Sequence, residues 1–391
     1  MRKIILSPAF ILIFLENFFF FSSRNSLNML PPYLASLGAS KAYTGFFMNI
    51  SSLLLVVFVL FFTGFASRLN KKYLLTAGFS LQLVSLILMF FCPRNLNILL
   101  IFQFLSSFSY AFGFTINSSI AFDIIPPGKR TSGIALFGLS GVLAAPTGSF
   151  FGEIMSNLFR PNSLFILSAF FCLLSLILVF FIHDEPGHGS NSGVSFWKIL
   201  KNRELSLLFF LGILLGGAWS VLTTFIPDFT SARLGFANLS FYFFANSVIA
   251  VLSRTVFAKT IDNISRKRLI ITALTLIALA MLMTSLLFLP WQLYAIGVLY
   301  GLGHSILYPV LNAAFVDSGK GLDKFALSNA FIAMYTLGNV ALCTILGVQG
   351  DFIGSFLGNN GGLTSIFISM GLLAAACVPM VISQIRENKK I

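Results

Sequence analysis

The stretch Ser163-Leu-Phe-Ile-Leu-Ser-Ala-Phe-Phe-Cys-Leu-Leu-Ser-Leu-Ile-Leu-Val-Phe-Phe-Ile-His183 runs through without one acidic or basic residue before its terminal histidine. An α-helix rises about 1.5 Å per residue, so roughly 20 apolar residues cross the ~30 Å hydrocarbon layer of a bilayer. A strand of a membrane barrel would need only about 10 residues and would alternate polar with apolar. This run is twice that length and does not alternate, so it reads as a membrane-spanning helix. Eleven similar runs surround it, at 8–35, 42–67, 73–92, 96–122, 131–157, 206–231, 238–260, 268–288, 291–316, 325–349 and 362–384. The expected fold is therefore an all-α membrane protein of twelve transmembrane helices.

Composition agrees. The 391 residues are 57% hydrophobic and only 9% charged, against roughly 25% charged in soluble domains. A soluble chain must clothe its surface in polar groups; here most of the surface faces lipid. The net charge of +13 does not point to nucleic acid, because the basic residues lie in short gaps between apolar runs rather than on one soluble face. Nineteen of the 25 Lys and Arg residues fall in gaps on one side and four on the other, leaving Arg24 and Arg254 inside spans. Positive charge marks the cytoplasmic side, so both termini and the central loop are expected there. The N-terminal run continues to about Phe21 with no small-residue cleavage site, and reads as a retained first helix rather than a signal peptide. Cys92, Cys172, Cys343 and Cys377 form no C-x-x-C pair and read as small core residues.

The longest polar stretch, His183 to Glu204, follows the opening segment and sits at the chain's midpoint, with Pro186, Gly187, Gly189 and Gly193. It reads as a linker (184–204) between an N-terminal six-helix bundle (1–183) and a C-terminal one (205–391). Features recur between the halves at an offset of about 195 residues: Lys71-Lys72 with Arg266-Lys267, Asp123 with Asp317, Arg130 with Lys324, Pro32 with Pro227. Parallel six-helix repeats are a transporter architecture, with the substrate held between the repeats near the midplane.

At this point the chain resembles the major facilitator superfamily over its whole length. Residues 64–72, Gly-Phe-Ala-Ser-Arg-Leu-Asn-Lys-Lys, are similar to the family's loop G-x-x-x-D-R-x-G-R-R, with Ser67 in place of the acid; the second copy, Ala258 to Lys267, keeps Asp262 with Arg266 and Lys267. The fifth span, Gly141-Val-Leu-Ala-Ala145-Pro146-Thr-Gly148-Ser-Phe-Phe-Gly152, resembles the family's antiporter motif; its positions 141, 145, 148 and 152 share a face on which another helix can approach closely, which is also what ordinary close packing would use. Gly301 to Asn312 and Asp123 to Arg130 resemble bacterial drug or sugar efflux members. The resemblance implies two pseudo-symmetric bundles that move by alternating access in a bacterial cytoplasmic membrane, with spans 1, 4, 7 and 10 lining a cavity.

An ionisable residue at membrane depth is costly and points to function. Glu16 lies in Phe-Leu-Glu-Asn-Phe-Phe-Phe; burial disfavours its charged form, so it is the candidate for proton coupling, the other reading being an interfacial hydrogen-bonded carboxylate. Asn17, Arg24 and Asn28, seven and four apart, share a face that suits the cavity, and Arg24 suits an anionic substrate group or a carboxylate such as Glu16; a structural ion pair is the alternative. Gln103, Tyr110 and Asn117 recur at seven-residue spacing in span 4, and Tyr300, His304, Tyr308 and Asn312 at four in span 10, with Trp219, Thr223 and Thr224 in span 7. His304 can titrate near neutrality or sit neutral against a neighbouring helix. At the cytoplasmic ends, Asp123 is placed to pair with Arg68 or Arg130, and Asp317 with Arg266 or Lys324; with Lys71, Arg254 and Asp262 they form a candidate gate, against the plainer reading of charge as a topology marker.

No phosphate-binding loop, zinc signature or nucleophile elbow occurs, and the three histidines form no cluster, so neither ATP-driven pumping nor a membrane enzyme is expected. No cofactor, metal or nucleic acid is expected. The reading is a monomeric secondary transporter that exports a small organic or amphipathic compound with proton coupling. Uptake of a sugar-like or anionic metabolite, and a non-transporting sensor, are the rival readings.

Overall fold

The computed structural model describes residues 7–58, 70–92, 94–125, 130–182, 199, 201–202, 205–255, 264–318 and 324–384. Among them every long element is a helix: α1 (Pro8–Ser26), a 3-10 turn (Leu27–Met29), α2 (Pro31–Ser36), α3 (Lys41–Val57), α4 (Lys71–Phe91), α5 (Leu96–Ile124), α6 (Arg130–Leu158), α7 (Ser163–Phe181), α8 (Ser206–Leu234), α9 (Ser240–Thr255), α10 (Arg266–Ser285), α11 (Gln292–Ser318) and α12 (Lys324–Gln384). Seven stretches, in α4, α5, α7, α8, α10, α11 and α12, are long and apolar enough to cross a bilayer, and α3 and α9 are apolar but shorter. Phe91, Phe356 and Leu357 are among the large apolar side chains left exposed, at 72%, 73% and 70%, as expected of a surface that lipid covers.

Local chemistry sets the ends. Ser7 accepts a hydrogen bond from the Phe10 N–H, and Pro8 opens α1; Asn70 and Asn95 cap α4 and α5 in the same way. Such side chains satisfy N–H groups that the helix itself cannot. The first span was expected to be continuous over 8–35. It instead breaks at the 3-10 turn before α2, because Pro31 has no N–H and its ring clashes with the carbonyl four residues back. The eleventh span was expected to end at 349, with a loop to 362. Helix in fact continues to Gly358, whose φ of 74° and ψ of 174° make the only non-helical joint inside α12. The Gly- and Asn-rich composition of 350–362 reads as loop; in the fold its small residues let the helices on either side of the joint pack tightly, Gly362 lying on the Gly350 carbonyl.

The chain packs as two compact units, Met1–Leu37 with Ile50–Asn191, and Gly38–Asn49 with Ser192–Ile391. In the first, α1 packs on α6 and α7, and α4 on α5 and α7. The small-residue face of α6 is what receives α1: a Cβ at Gly152 would lie 2.6 Å from the Ser26 carbonyl oxygen. Polar side chains then join four helices. Ser23 donates to the Ser168 carbonyl (2.8 Å), Gln82 donates to Ser23 (3.0 Å), and Ser109 donates to Gln82. Lipid supplies no hydrogen bonds, so such groups hold membrane helices together.

In the second unit α8 packs on α12, α10 on α11 and α12, and α9 on α11. A Cβ at Gly216 would run into the Tyr335 carbonyl, and one at Gly338 into that of Ile213. The first part of α3 belongs to this unit. Its N-terminal N–H groups are all engaged: Lys41 and Ala42 donate to the two carboxylate oxygens of Asp351 in α12 (2.7 and 2.9 Å), and Tyr43 donates to Ser40 Oγ (3.1 Å).

Candidate functional site

Glu16 of α1 is fully buried, at 0% exposure, with side chains of α5 and α7 against it. Ser175 of α7 donates to its Oε1 at 2.9 Å, the Asn117 side chain of α5 lies beside it, and Oε2 has no hydrogen-bond partner. Asn117 also donates to Asn17 Oδ1 (3.2 Å), and Asn17 donates to Ser140 of α6 (2.7 Å). The cluster is thus a carboxyl in a nest of neutral polar groups. Among the described residues no cation lies within ion-pair distance of it, and a buried charge without such a partner is costly.

Arg24 does not meet Glu16. Eight residues of helix place the two about 12 Å apart along the axis and about 80° around it. Its Nη2 donates to Ser51 of α3, its guanidinium lies 5.3 Å from the centroid of the Tyr110 ring, and Nη1 is buried without a partner. Gln103 stands further along α5 and receives the Ser106 hydroxyl at 3.2 Å. Asn28 donates to Asn25 at 3.1 Å. The stripe read at seven and four residues therefore meets three different sets of partners, the 3-10 turn carrying Asn28 off the line of α1.

The second unit holds a ring cluster. His304 of α11 lies between Tyr300 and Tyr308 of its own helix, with centroids at 5.6 and 5.8 Å, and Trp219 of α8 stands 5.5 Å away. Tyr335 of α12 comes within 3.2 Å of His304 Nε2. The Tyr300 hydroxyl and Asn312 Oδ1 are buried without partners. Thr223 turns its hydroxyl back to the Trp219 carbonyl at 3.0 Å, so it bonds its own helix.

The model for the Major Facilitator Superfamily matches residues 12–345. The chain belongs to that superfamily. It is a multi-pass membrane transporter of small molecules and not an enzyme. Among its relatives are the multidrug resistance protein MdtG of Proteus mirabilis, 25% identical over 359 residues that make up 86% of each chain, and that of Enterobacter lignolyticus, 25% identical over 87% of this chain and 82% of the relative. Solved structures with this fold include the nucleoside transporter NupG (TM-score 0.81, 13% identity, 97% and 99% of the two chains) and a POT family transporter in complex with a thioalcohol-conjugated peptide (TM-score 0.77, 14% identity, 96% and 94%).

The superfamily's charged helix ends occur in both units. Lys71 pairs with Asp123 at 2.6 Å, and Arg266 with Asp317 at 2.6 Å. The two pairs stand at matching positions of the two halves. Asp123 thus takes Lys71, which opens α4, as its observed partner, where Arg68 or Arg130 was expected. Arg68 and Asp262, and the side chains of Arg130, Arg254 and Lys324, lie outside the described residues. Ser51, Ser107, Ser140, Ser175 and Tyr335 carry no signal in the sequence, since serine and tyrosine are common in membrane helices. Asp228 of α8, which is 8% exposed, does carry one that was missed; the rule that picks out Glu16, an acid inside an apolar run, applies to it equally.

Proposed function

We propose that this superfamily member is a proton-coupled exporter of small organic or amphipathic compounds. Glu16 carries the reading: a wholly buried carboxyl with one oxygen bonded by Ser175 and the other bonded by nothing. Such a group can hold a proton and release it when water or a cation reaches it, which is the elementary step that coupling needs. The MdtG relatives' name as multidrug resistance proteins supports export. In this reading twelve spans form two six-helix bundles, 1–183 and 205–391, joined by the linker 184–204 and working as a monomer in a bacterial cytoplasmic membrane, with both termini cytoplasmic. The bundles alternate access to the cargo, and the Lys71–Asp123 and Arg266–Asp317 pairs act at the cytoplasmic gate.

The test uses purified protein in proteoliposomes, a panel of lipophilic dyes and drugs, and an imposed pH gradient. The expected result is accumulation driven by the gradient in the wild type, with Glu16→Gln still exchanging cargo but no longer responding to pH. Gradient-driven accumulation that survives Glu16→Gln removes Glu16 as the carrier; cargo movement indifferent to pH in the wild type removes proton coupling.

A further inference from the structure

Arg24 lies in the last turn of α1, about 24 Å from the Pro8 end at 1.5 Å per residue. An arginine side chain reaches roughly 6–7 Å, too short to bring its charge back to that end by snorkelling. The structure gives this cation only neutral company. Its Nη2 donates to Ser51 Oγ. Ser51 and Ser107 hydroxyls are 2.7 Å apart, and Ser107 donates to the Gln103 carbonyl at 2.6 Å. Because the single Ser107 proton is taken by that carbonyl, Ser51 must donate to Ser107. The chain therefore runs one way, from Arg24 through two hydroxyls to a backbone carbonyl, and brings dipoles but no negative charge. The Tyr110 ring lies under the guanidinium at 5.3 Å. Among the described residues no carboxylate lies within ion-pair distance of Arg24, and Nη1 is buried and unbonded.

A half-buried cation with a buried, unbonded Nη1 is costly, and a well-placed oxyanion removes that cost. We infer that Arg24 is the seat of an anionic group of the cargo: an oxyanion, carboxylate in type, received by Nη1 and flanked by the Tyr110 ring, which accommodates an aromatic or alkyl body next to the charged head. Charge-assisted hydrogen bonds of this kind are the strong ones. The inference rests on the transporter reading and narrows its cargo to organic anions.

The experiment is ligand-dependent thermal stability of the purified full chain, with three probes of one shape: 4-phenylbutyrate, 4-phenylbutanamide and 4-phenylbutylamine. A ligand that binds the folded state raises its melting temperature by mass action. The carboxylate is expected to bind at least tenfold more tightly than the amide, with the amine weakest. In Arg24→Gln the carboxylate should fall to within threefold of the amide. Unliganded Arg24→Gln should melt no lower than the wild type, since the substitution removes an uncompensated charge. The inference is overturned by equal affinities for carboxylate and amide in the wild type, by no binding of the carboxylate, by a carboxylate preference that survives Arg24→Gln, or by a large loss of stability in unliganded Arg24→Gln, which would mark Arg24 as structural. The readouts separate the two readings: an Arg24-dependent preference without pH coupling sinks the proton-coupled exporter and leaves the anion seat, and pH coupling through Glu16 without an anion preference does the reverse.

Discussion

Replacing Asp351 by alanine isolates what closes the N-terminus of α3. The carboxylate accepts from two main-chain N–H groups, Lys41 at 2.7 Å and Ala42 at 2.9 Å, and lies 3.9 Å from the Lys41 ammonium. The ammonium contact is long and both side chains are partly open to solvent, at 13% and 31%, so that pair contributes about 0–1 kcal/mol. The main-chain bonds are different. A cap of this kind is worth about 1 kcal/mol and up to about 2, and a charged acceptor strengthens each bond. Alanine therefore should cost about 2 kcal/mol, most of it from N–H groups left without partners. In a unit of roughly 200 residues that lowers the melting temperature by about 4–8 °C. Lys41→Met keeps the alkyl packing against Gly350 and removes only the charge, and should cost less than about 1 kcal/mol. Differential scanning fluorimetry of the detergent-solubilised protein reads both. If Lys41→Met loses as much as Asp351→Ala, the joint is an ion pair and not a cap. If neither moves, α3 is held by packing alone.

Gly216→Val forces a Cβ into the Tyr335 carbonyl. Backbone cannot retreat as a side-chain tip can, so a loss near about 3 kcal/mol is expected, seen as aggregated protein on size exclusion, whereas Gly141→Ala, where the new Cβ would sit 3.5 Å from the Phe21 ring, should be neutral or gain up to about 1 kcal/mol from helix propensity. Asp123→Asn and Asp317→Asn each remove a pair whose acid is 55–56% exposed; melting should shift by less than about 1 kcal/mol equivalent, while the transport rate in proteoliposomes falls, and a large melting loss would make both acids structural.

The membrane-spanning character was legible because apolar runs of some 20 residues match the thickness of a bilayer and are about twice the length of a barrel strand. Glu16 and Arg24 were legible for the same reason, as breaks in such a run. What the sequence could not supply was partnership. The periodicity of α1 places Asn17 and Arg24 on a common line, yet it says nothing of which helix lies against each turn; Ser140, Ser175 and Ser51 are ordinary residues until the fold carries them to α1. The expected bounds of the last two spans, 325–349 and 362–384, also missed helix that lies between them. Gly350, Gly354, Asn359 and Gly361 look like a loop, and become helix because the small residues allow close packing that a loop would forgo.

The bonds that α1 makes also bear on how the protein is born. Among the described residues this helix is not one of the seven stretches apolar enough to span by themselves, since it carries Glu16, Asn17, Arg24 and Asn25. Its polar groups find partners in Gln82, Asn117, Ser140, Ser168 and Ser175, all of which leave the ribosome after it. α1 therefore has its polar groups satisfied only once α4 to α7, which follow it in the chain, have packed against it. Truncating the chain before α7 should leave that segment only loosely lodged in the bilayer, open to extraction and proteolysis.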